Sequence, residues 1–325
     1  MEAIVNNIFS VSPPTFNQLA LKIFRYQYAE NEIYNQWVNA LNININEVIH
    51  FAQIPFLPVS FFKTNNVVSG NFVPDVVFES SGTTGTVNSR HLVKELTVYT
   101  RSFTEGFKKF YSEPGDWCII GLLPSYLERK GSSLVMMVEE LIKLSGNNNS
   151  GFYLHEYEKL ANVLQQLEAQ NQKTLLIGVT FALLDFAQQF PMHLENTVIM
   201  ETGGMKGRRK EMIREEVHSF LQKQFQVTAI HSEYGMTELL SQGYSFGNGV
   251  FNTVPWMKVL VRDEDDPLLI TEKGRGLINV IDLANIYSCS FIATDDVGRI
   301  NEDGSFEVLG RRDNSDIRGC SLMVM

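Results

Sequence analysis

Short apolar runs alternate with amphipathic segments through the middle of this chain. Runs of β-branched and aliphatic residues are typical of buried strands, and apolar residues spaced three and four apart are typical of helices. Their alternation predicts an α/β fold in which helices cover the sheets. The predicted strands are residues 76–78, 118–123, 175–179, 197–200 and 227–230, and the predicted helices are residues 134–144, 157–169 and 210–225.

The two ends of the chain have different patterns. Residues 16–42 carry aromatic and aliphatic side chains at helical spacing and predict a helical region that packs on the main domain. After about residue 249 the pattern becomes β-rich, with short strands and turns. We therefore divide the chain into a mainly helical region (1–72), an α/β domain (73–309) and a short tail (310–325). The predicted late strands are residues 257–262, 267–271, 277–282, 291–294 and 306–309.

The predicted helix at 210–225 places four apolar residues on one face, which we expect to be core. These residues are Ile213, Val217, Phe220 and Leu221.

Length, composition and charge exclude several classes of protein. The 325 residues are 44% hydrophobic, enough for a buried core, yet no apolar run approaches the roughly 20 residues of a membrane span. The N-terminus lacks the pattern of a signal peptide, so we expect a cytoplasmic protein. The three cysteines form no C-x-x-C pair, which argues against a disulfide framework or zinc site. A net charge of -10 argues against a nucleic-acid-binding protein.

A glycine-rich loop follows the first predicted strand. Its sequence is Ser80-Ser81-Gly82-Thr83-Thr84-Gly85. Glycines let the backbone approach a ligand closely, and successive amides and hydroxyls donate to anionic oxygens, so the loop suits phosphate. An ordinary surface loop of the same composition accounts for this segment equally well when it is taken alone.

Three later segments occur in an order that changes this assessment. They are Ser232-Glu233-Tyr234-Gly235-Met236-Thr237-Glu238, Thr294-Asp295-Asp296-Val297-Gly298-Arg299, and the segment that begins Gly310-Arg311-Arg312-Asp313. With the Ser80 loop, this succession resembles the adenylate-forming superfamily of acyl-CoA synthetases, luciferases and peptide-synthetase adenylation domains. The resemblance implies a large N-terminal adenylate-forming domain that uses ATP and Mg²⁺.

Two further segments resemble the LuxE-type acyl-protein synthetases of bacterial luminescence. Residues 54–63 are similar to that family's N-terminal signature, and Arg318-Gly319-Cys320-Ser321-Leu322 is similar to its C-terminal one. The resemblance spans most of the chain. It implies that Cys320 accepts the acyl group.

The resemblance also implies roles around the nucleotide. The loop from Ser80 to Gly85 would hold the β- and γ-phosphates, and Tyr234, with Gly235 beside it, would lie against adenine. Independently of the resemblance, Gly203-Gly204 follows the predicted strand at 197–200 and fits an adenine-facing loop, because glycines permit close backbone approach. Asp296 would bind the ribose together with Arg311, although Asp295 replaces the family's usual glycine and leaves the choice of aspartate open.

Two roles implied by the resemblance concern the reacting groups. Thr237 would contact the α-phosphate or the acid, and Glu238 would hold Mg²⁺, since hard cations prefer carboxylate oxygen. A lysine that commonly follows the phosphate loop is missing, and Arg90 is the candidate substitute.

The C-terminus departs from the superfamily pattern. Adenylating enzymes continue into a mobile lid that carries a catalytic lysine, whereas this sequence ends six residues after Gly319. We therefore expect the small lid domain to be absent. A thiol on a short tail would then attack the acyl-adenylate, with Arg311, Arg312 or Arg318 favouring the thiolate.

Three hypotheses follow. The first is an acyl-protein synthetase that activates a carboxylic acid, expected to be a fatty acid, and transfers it through Cys320 to a reductase or another acceptor. The second is an acyl- or aryl-CoA or carrier-protein ligase that does not acylate itself. The third is a nucleotide-binding scaffold without catalytic activity.

Overall fold

The mixture of helices and strands changes along the chain: helices predominate before residue 65, both kinds alternate as far as residue 234, and strands predominate after residue 243. The computed structural model describes residues 2–80, 87–123, 131–154, 156–203 and 212–312. The α-helices are α1 (Glu2–Phe9), α2 (Pro13–Glu30), α3 (Glu32–Ala40), α4 (Phe61–Thr64), α5 (Leu96–Tyr111), α6 (Ser133–Ser145), α7 (Tyr157–Ala169), α8 (Thr180–Gln189) and α9 (Arg214–Phe225). The strands are β1 (Leu57–Pro58), β2 (Val76–Glu79), β3 (Arg90–Val93), β4 (Cys118–Leu122), β5 (Gly151–Phe152), β6 (Thr174–Gly178), β7 (Thr197–Glu201), β8 (His231–Tyr234), β9 (Gly243–Ser245), β10 (Val250–Thr253), β11 (Met257–Arg262), β12 (Ile270–Thr271), β13 (Gly274–Asp282), β14 (Phe291–Ile300) and β15 (Phe306–Arg311).

These elements form two units, and each unit is assembled from more than one stretch of the chain. Unit 1 comprises Met1–Val77, Ser81–Glu95 and Asn252–Met325, and unit 2 comprises Phe78–Ser80 and Leu96–Phe251. The mixed α/β class predicted from the sequence is confirmed. The predicted boundaries at residues 72 and 309 stay a prediction.

Unit 2 contains a mostly parallel sheet. Its strand order is β5-β4-β6-β7-β8-β9, with every neighbouring pair parallel except the last. All residues of β4 and β6 are buried, as is expected for strands covered on both faces. The glycine at 121 matches this packing, because a Cβ there would lie 2.5 Å from the ring of Phe152.

Unit 1 contains a mainly antiparallel sheet with strand order β12-β11-β13-β14-β15, and β1 adds to β14 in parallel. The helices α2 and α3 pack on it through buried polar and aromatic groups. The amide of Gln27, which is fully buried, donates to the carbonyls of Asn285 and Ile286 at 3.0 Å each. The ring of Tyr34 stacks on Phe291 at 6.1 Å. The predicted helical region at 16–42 is confirmed by α2 and α3.

Most predicted elements are confirmed within a few residues, and the exceptions have local causes. The predicted strand at 227–230 is wrong, because Gln226 takes a left-handed conformation after α9 and the next strand begins at His231. The predicted strand at 267–271 is confined to β12, since the Leu269 N–H donates to the Asp266 carbonyl in a turn.

The helix predicted from residue 210 begins only at Arg214 in the described residues. Ile213 has extended backbone, and its N–H donates to the Glu216 carboxylate at 3.2 Å, which fixes the start of the helix after it. Ile213 is therefore 58% exposed, and its assignment to the core was wrong. Val217 and Leu221 are buried as expected, whereas Phe220 is half-buried.

Within the described residues, no helix has both the length and the apolar character that crossing a membrane requires.

We predict that Gly121→Ala lowers the free energy of unfolding by about 1–3 kcal/mol, because the new methyl group must displace Phe152 and Val138 in a close-packed layer. The matched control is Gly151→Ala on the neighbouring strand, where a Cβ would meet no atom within 4 Å. Urea unfolding of both variants measures the difference. Equal losses in the two variants would contradict the packing explanation.

Candidate active site

The strands β7 and β8 end side by side at a cavity in unit 2. Their parallel register pairs Glu201 with Ser232, so the residues that follow both strands open at the same edge of the sheet. Such carboxyl edges are where α/β folds commonly bind ligands. The cavity has a volume of about 310 Å³. It is lined by Thr180, Glu201, Thr202, Gly203, Met212, Arg214, Val217, Ser232, Glu233, Tyr234, Gly235 and Phe251.

Gly203 presents its backbone to this cavity. Its φ of +77° is in the left-handed region that favours glycine, and a Cβ built there would meet no atom within 4 Å. The Gly203 N–H donates to Glu201 Oε1 at 2.7 Å, which fixes the turn. There is therefore space beside the Gly203 backbone for the close approach of a ligand that the sequence analysis predicts. Gly204 lies outside the described residues.

Tyr234 and Gly235 line the same cavity. Tyr234 is the last residue of β8, and its ring lies 6.0 Å from the ring of Phe251. A Cβ at position 235 would contact the carboxylate of Glu233, so a larger residue would require that side chain to move. The structure thus brings together Gly203, Tyr234 and Gly235, three of the residues predicted to bind the nucleotide.

Thr237 and Glu238 follow in a turn within the same unit. The Leu239 N–H donates to the Met236 carbonyl at 3.0 Å, and Glu238 is only 5% exposed. Neither residue is among the described residues that line the cavity. Their predicted contacts with the acid, the α-phosphate and Mg²⁺ stay predictions. One carboxylate is nevertheless a suitable protein ligand for Mg²⁺, which commonly completes its coordination with phosphate and water.

Two carboxyl groups at the cavity were not identified from the sequence. Glu201 accepts hydrogen bonds from the Thr180 hydroxyl and the Gly203 N–H. Glu233 lies beside it on the next strand, and burial, together with the negative charge of Glu201, raises the pKa of Glu233 to about 8. Glu233 is therefore predominantly protonated at neutral pH. An acidic residue at the end of an apolar run, as in Thr197–Glu201, was the available signal in the sequence.

Two histidines of this unit, His218 on α9 and His231 on β8, lie beside hydroxyl groups. Nε2 of His218 and the Ser232 hydroxyl lie 3.4 Å apart, and Nδ1 of His231 and the Tyr111 hydroxyl lie 3.1 Å apart. Burial lowers the pKa of both imidazoles. Neither histidine is among the described residues that line the cavity.

The predicted ribose-binding residues lie together in unit 1. Asp296 on β14 is paired directly with Arg311 on β15, and the Arg311 guanidinium is 3.9 Å from the Asp295 carboxylate. The Asp296 N–H donates to the Thr294 hydroxyl at 3.1 Å. Both aspartates therefore remain next to Arg311. Arg90, the candidate for the missing lysine, is the exposed first residue of β3 in the same unit.

Several predicted site residues lie outside the described residues. Ser80 is described and is half-buried after β2. The residues that are not described are Ser81, Gly82, Thr83, Thr84, Gly85, Gly204 and Cys320. The other two cysteines, Cys118 and Cys289, are buried, and burial raises the pKa of both thiols. Both cysteines belong to the core.

We predict that Glu233→Gln makes the protein relatively more stable as the pH rises. Between about pH 4.5 and pH 8 the unfolded chain has released a proton that folded Glu233 retains, so this carboxyl lowers the free energy of unfolding across that window. Glu233→Gln has no such carboxyl, so its free energy of unfolding does not fall in this way. The difference between its free energy of unfolding and that of wild type should therefore grow by on the order of a few kcal/mol between pH 5 and pH 8. Urea unfolding at both pH values measures it. The control is Glu195→Gln, because the Glu195 side chain is exposed. If the free energy of unfolding of Glu233→Gln differed from that of wild type by the same amount at both pH values, the raised pKa of Glu233 would be refuted.

Comparisons with solved structures place this fold among adenylate-forming enzymes. ATP-bound MatB from Rhodopseudomonas palustris matches with a TM-score of 0.55 and 18% identity, over 74% of this chain and 49% of that chain. The chain thus spans about half the length of that enzyme. A 2-hydroxyisobutyryl-CoA ligase, in the postadenylation state with an acyl-AMP, matches with a TM-score of 0.65 and 9% identity, over 94% of this chain and 70% of that chain. At these identities the likeness establishes the fold.

Sequence comparison gives the family. A curated relative, the long-chain-fatty-acid–luciferin-component ligase of Aliivibrio fischeri, is 22% identical over 340 aligned positions, which cover 94% of this chain and 86% of the relative. The model of the family described as "Acyl-protein synthetase, LuxE" matches residues 10–325. The resemblance carried by the motifs is therefore confirmed, and this chain belongs to the LuxE family of acyl-protein synthetases.

Proposed function

We propose that this protein uses ATP to activate a carboxylic acid as an acyl-adenylate and then transfers the acyl group to Cys320 as a thioester. The observation that carries the proposal is the cavity at the ends of β7 and β8, where Gly203, Tyr234 and Gly235 lie together. Tyr234 and Gly235 come from a motif that a LuxE family member would use for its nucleotide, and Gly203 comes from the glycine pair that follows β7. The family match supplies the reaction class.

The nucleotide is proposed to bind with adenine between the Gly203 backbone and Tyr234. The open space beside Gly203 supports this placement, since a flat base can approach a backbone that has no side chain. The loop from Ser80 to Gly85 would hold the phosphates, and Glu238 would bind Mg²⁺. Asp296 and Arg311 would bind the ribose hydroxyls. The likeness to MatB, whose structure contains bound ATP, supports ATP as the nucleotide.

The proposed reaction has two transfers. A carboxylate oxygen of the acid attacks the α-phosphorus, the bond to the bridging oxygen breaks, and pyrophosphate leaves with that electron pair. The Cys320 thiolate, having lost its proton to solvent or a nearby base, then attacks the acyl carbon, and AMP leaves as the carbon–oxygen bond breaks. Thr237 and Arg90 are proposed to stabilise the charge that develops at phosphorus, because fixed donors and cations act without reorganisation.

The acid is proposed to be a fatty acid, because the Aliivibrio fischeri relative is named as a long-chain-fatty-acid ligase. The final acceptor is proposed to be a reductase or a carrier protein. Free thiol chemistry at Cys320 is suited to a reducing compartment, so we propose that the protein acts in the cytoplasm.

We predict that incubation with ATP, Mg²⁺ and a panel of fatty and aromatic acids adds one acyl mass to the wild-type protein. The adduct should be removed by hydroxylamine, as expected of a thioester, and should be absent from Cys320→Ser. Denaturing mass spectrometry of the intact protein measures it. Pyrophosphate release should continue in Cys320→Ser, because adenylation precedes the transfer.

Other results of this experiment favour the alternative functions. Pyrophosphate release with no adduct on wild type, followed by acyl transfer to coenzyme A, would identify a ligase that does not acylate itself. ATP binding without pyrophosphate release for any acid would identify a scaffold. An adduct that persists in Cys320→Ser would move the acceptor to another residue.

We also predict that Asp296→Ala weakens ATP binding about tenfold or more, since hydrogen bonds to a charged group contribute about 1.5–3 kcal/mol. Calorimetric titration with ATP and Mg²⁺ measures the change. The matched control is Glu302→Gln, whose side chain is 85% exposed in the same unit. Equal affinities of Asp296→Ala and wild type would exclude Asp296 from the ribose site.

A further inference from the structure

One oxygen of the Glu201 carboxylate has no hydrogen-bond donor among the described residues. Glu201 is only 8% exposed and lines the cavity at the end of β7. Its Oε1 accepts hydrogen bonds from both the Thr180 hydroxyl and the Gly203 N–H. Within the described part of the chain, no group donates to the other oxygen, Oε2. Buried polar groups normally have a partner, so Oε2 requires a donor from the cavity.

The strand register places this carboxylate on the same face of the sheet as Tyr234. Glu201 on β7 is paired with Ser232 on β8, and the side chains of neighbouring paired residues point to one face. Tyr234 is two residues further along β8 and therefore points to that face as well. Both Glu201 and Tyr234 line the cavity. The carboxylate and the aromatic ring proposed to lie against adenine are thus on one side of the sheet.

The hydrogen bond to Gly203 also limits where Oε2 lies. The two oxygens belong to one planar carboxylate, so Oε2 stays close to the Gly203 N–H that holds Oε1. The space beside this backbone is open, since a Cβ at position 203 would meet no atom within 4 Å. A flat base that lies against the Gly203 backbone is therefore within reach of the carboxylate.

Two other polar groups of the cavity lining have partners of their own. The Ser232 hydroxyl and His218 Nε2 lie 3.4 Å apart. The Arg214 guanidinium lies over the Phe251 ring, 5.4 Å from its centre. Among the residues that the structure describes, none forms an ion pair with Glu201. The carboxylate is therefore available as an acceptor for a neutral donor group.

The second carboxyl of the cavity lining differs from Glu201 in direction and in charge. Glu233 follows Ser232 on β8 and therefore points to the opposite face, where it is paired with Tyr244. Its carboxyl lies against the Gly235 backbone. Burial, together with the charge of Glu201, raises the pKa of Glu233 to about 8, so Glu233 retains its proton at neutral pH. Glu201 is thus the charged acceptor of the two.

Adenine has one group that suits such an acceptor. Its 6-amino group carries the only N–H bonds of the base in a nucleotide, whereas guanine and hypoxanthine carry an oxygen at the same ring position. A carboxylate oxygen accepts a hydrogen bond from the amino group, and its charge strengthens that bond. The same carboxylate repels a 6-oxo group, because both are acceptors. The chemistry of Oε2 therefore favours a 6-aminopurine over a 6-oxopurine.

We propose that Glu201 is the specificity-determining residue for the base, with Oε2 accepting a hydrogen bond from the 6-amino group of adenine and disfavouring 6-oxopurine nucleotides. This inference rests on the proposed function, because it names the group that recognises the nucleotide at the same cavity. Oε1 holds the Gly203 turn against which the base lies. One side chain thus positions the backbone of the site and distinguishes the edge of the base.

The substitution Glu201→Gln tests this assignment, because it exchanges an acceptor for a donor. The Gly203 N–H and the Thr180 hydroxyl need an acceptor, so they hold the amide oxygen at the place of Oε1 and leave the amide NH₂ at the place of Oε2. Calorimetric titrations with ATP and with inosine triphosphate, each with Mg²⁺, measure the preference. Wild type should bind ATP about tenfold or more tightly than inosine triphosphate. In Glu201→Gln this preference should disappear or reverse.

The matched control is Thr180→Val, which removes one hydrogen bond to Oε1 and leaves Oε2 unchanged. It should change the affinities for ATP and inosine triphosphate by the same factor, so that their ratio stays that of wild type. If Glu201 only held the Gly203 turn, Glu201→Gln would behave like this control. The ratio of the two affinities therefore separates recognition of the base from support of the backbone.

A third nucleotide tests the inference on wild-type protein alone, without any variant that must fold. Purine riboside triphosphate lacks a substituent at the 6 position, so it loses the hydrogen bond but adds no repulsion. Its affinity should lie between those of ATP and inosine triphosphate. Any other order would contradict the role of Oε2.

Three further results would overturn the inference. These are equal binding of ATP and inosine triphosphate by wild type, an unchanged ratio in folded Glu201→Gln, and binding of neither nucleotide. The titrations contain no acid, so their outcome is separate from that of the proposed function. A wild-type preparation that shows the preference but releases no pyrophosphate with any acid would count against activation and leave this inference standing. Pyrophosphate release without the preference would count against this inference alone.

Discussion

The parallel pairing of β7 with β8 is the constraint on which the candidate site depends. The register that sets Glu201 beside Ser232 also decides that the Gly203 turn and the Tyr234-Gly235 segment reach the same edge of the sheet. A shift by one residue would turn every side chain of β8 to the opposite face. The buried residues of β6 and β7 specify the register, because both faces of these strands are covered. The strands β7 and β8 therefore contribute both to the packed sheet and to the cavity at its edge.

In unit 1, the candidate residue Asp296 also lies on a strand of the sheet, and buried polar side chains join that strand to its neighbours. The Arg262 guanidinium donates to the Thr294 carbonyl at 2.7 Å and to the Asn279 amide oxygen, and the Thr294 hydroxyl donates to the Ile278 carbonyl at 2.9 Å. These bonds join β11, β13 and β14 immediately before Asp296. The aspartate thus extends from a rigid part of the sheet, which is what a residue that positions a ligand requires.

Sequence patterns predicted the parts of the fold that follow from local periodicity. The strands around Cys118 and Thr197 and the helix Tyr157–Ala169 combine a clear pattern with clear ends, and they were placed closely. The strand His231–Tyr234 was displaced because its polar residues His231, Ser232 and Glu233 do not look like a buried strand. Its place in the sheet comes from pairing with β7 and β9, which no local pattern reveals. The helix α8 was missed for a related reason, since it is apolar on nearly all sides and lacks an amphipathic period.

The same distinction applies to the candidate site. Motif order identified Tyr234 and Gly235, and the glycine pair after a predicted strand identified Gly203; the fold brings all three to one cavity. The carboxyl groups of Glu201 and Glu233 were not identified, because their chemistry comes from burial and from each other's charge rather than from a motif. Sequence alone assigns a glutamate its ordinary acidity; only its neighbours in space change that.

The division of unit 1 along the chain affects the order in which the protein is able to fold during synthesis. The helices α2 and α3 leave the ribosome early, but the partners of Gln27 and Tyr34 are at Asn285, Ile286 and Phe291, more than 250 residues later for Gln27. Leu96–Phe251, almost all of unit 2, is complete before those partners exist. Until Asn285, Ile286 and Phe291 are synthesised, the N-terminal helices expose an aromatic face, and exposed apolar surface of this kind is prone to association.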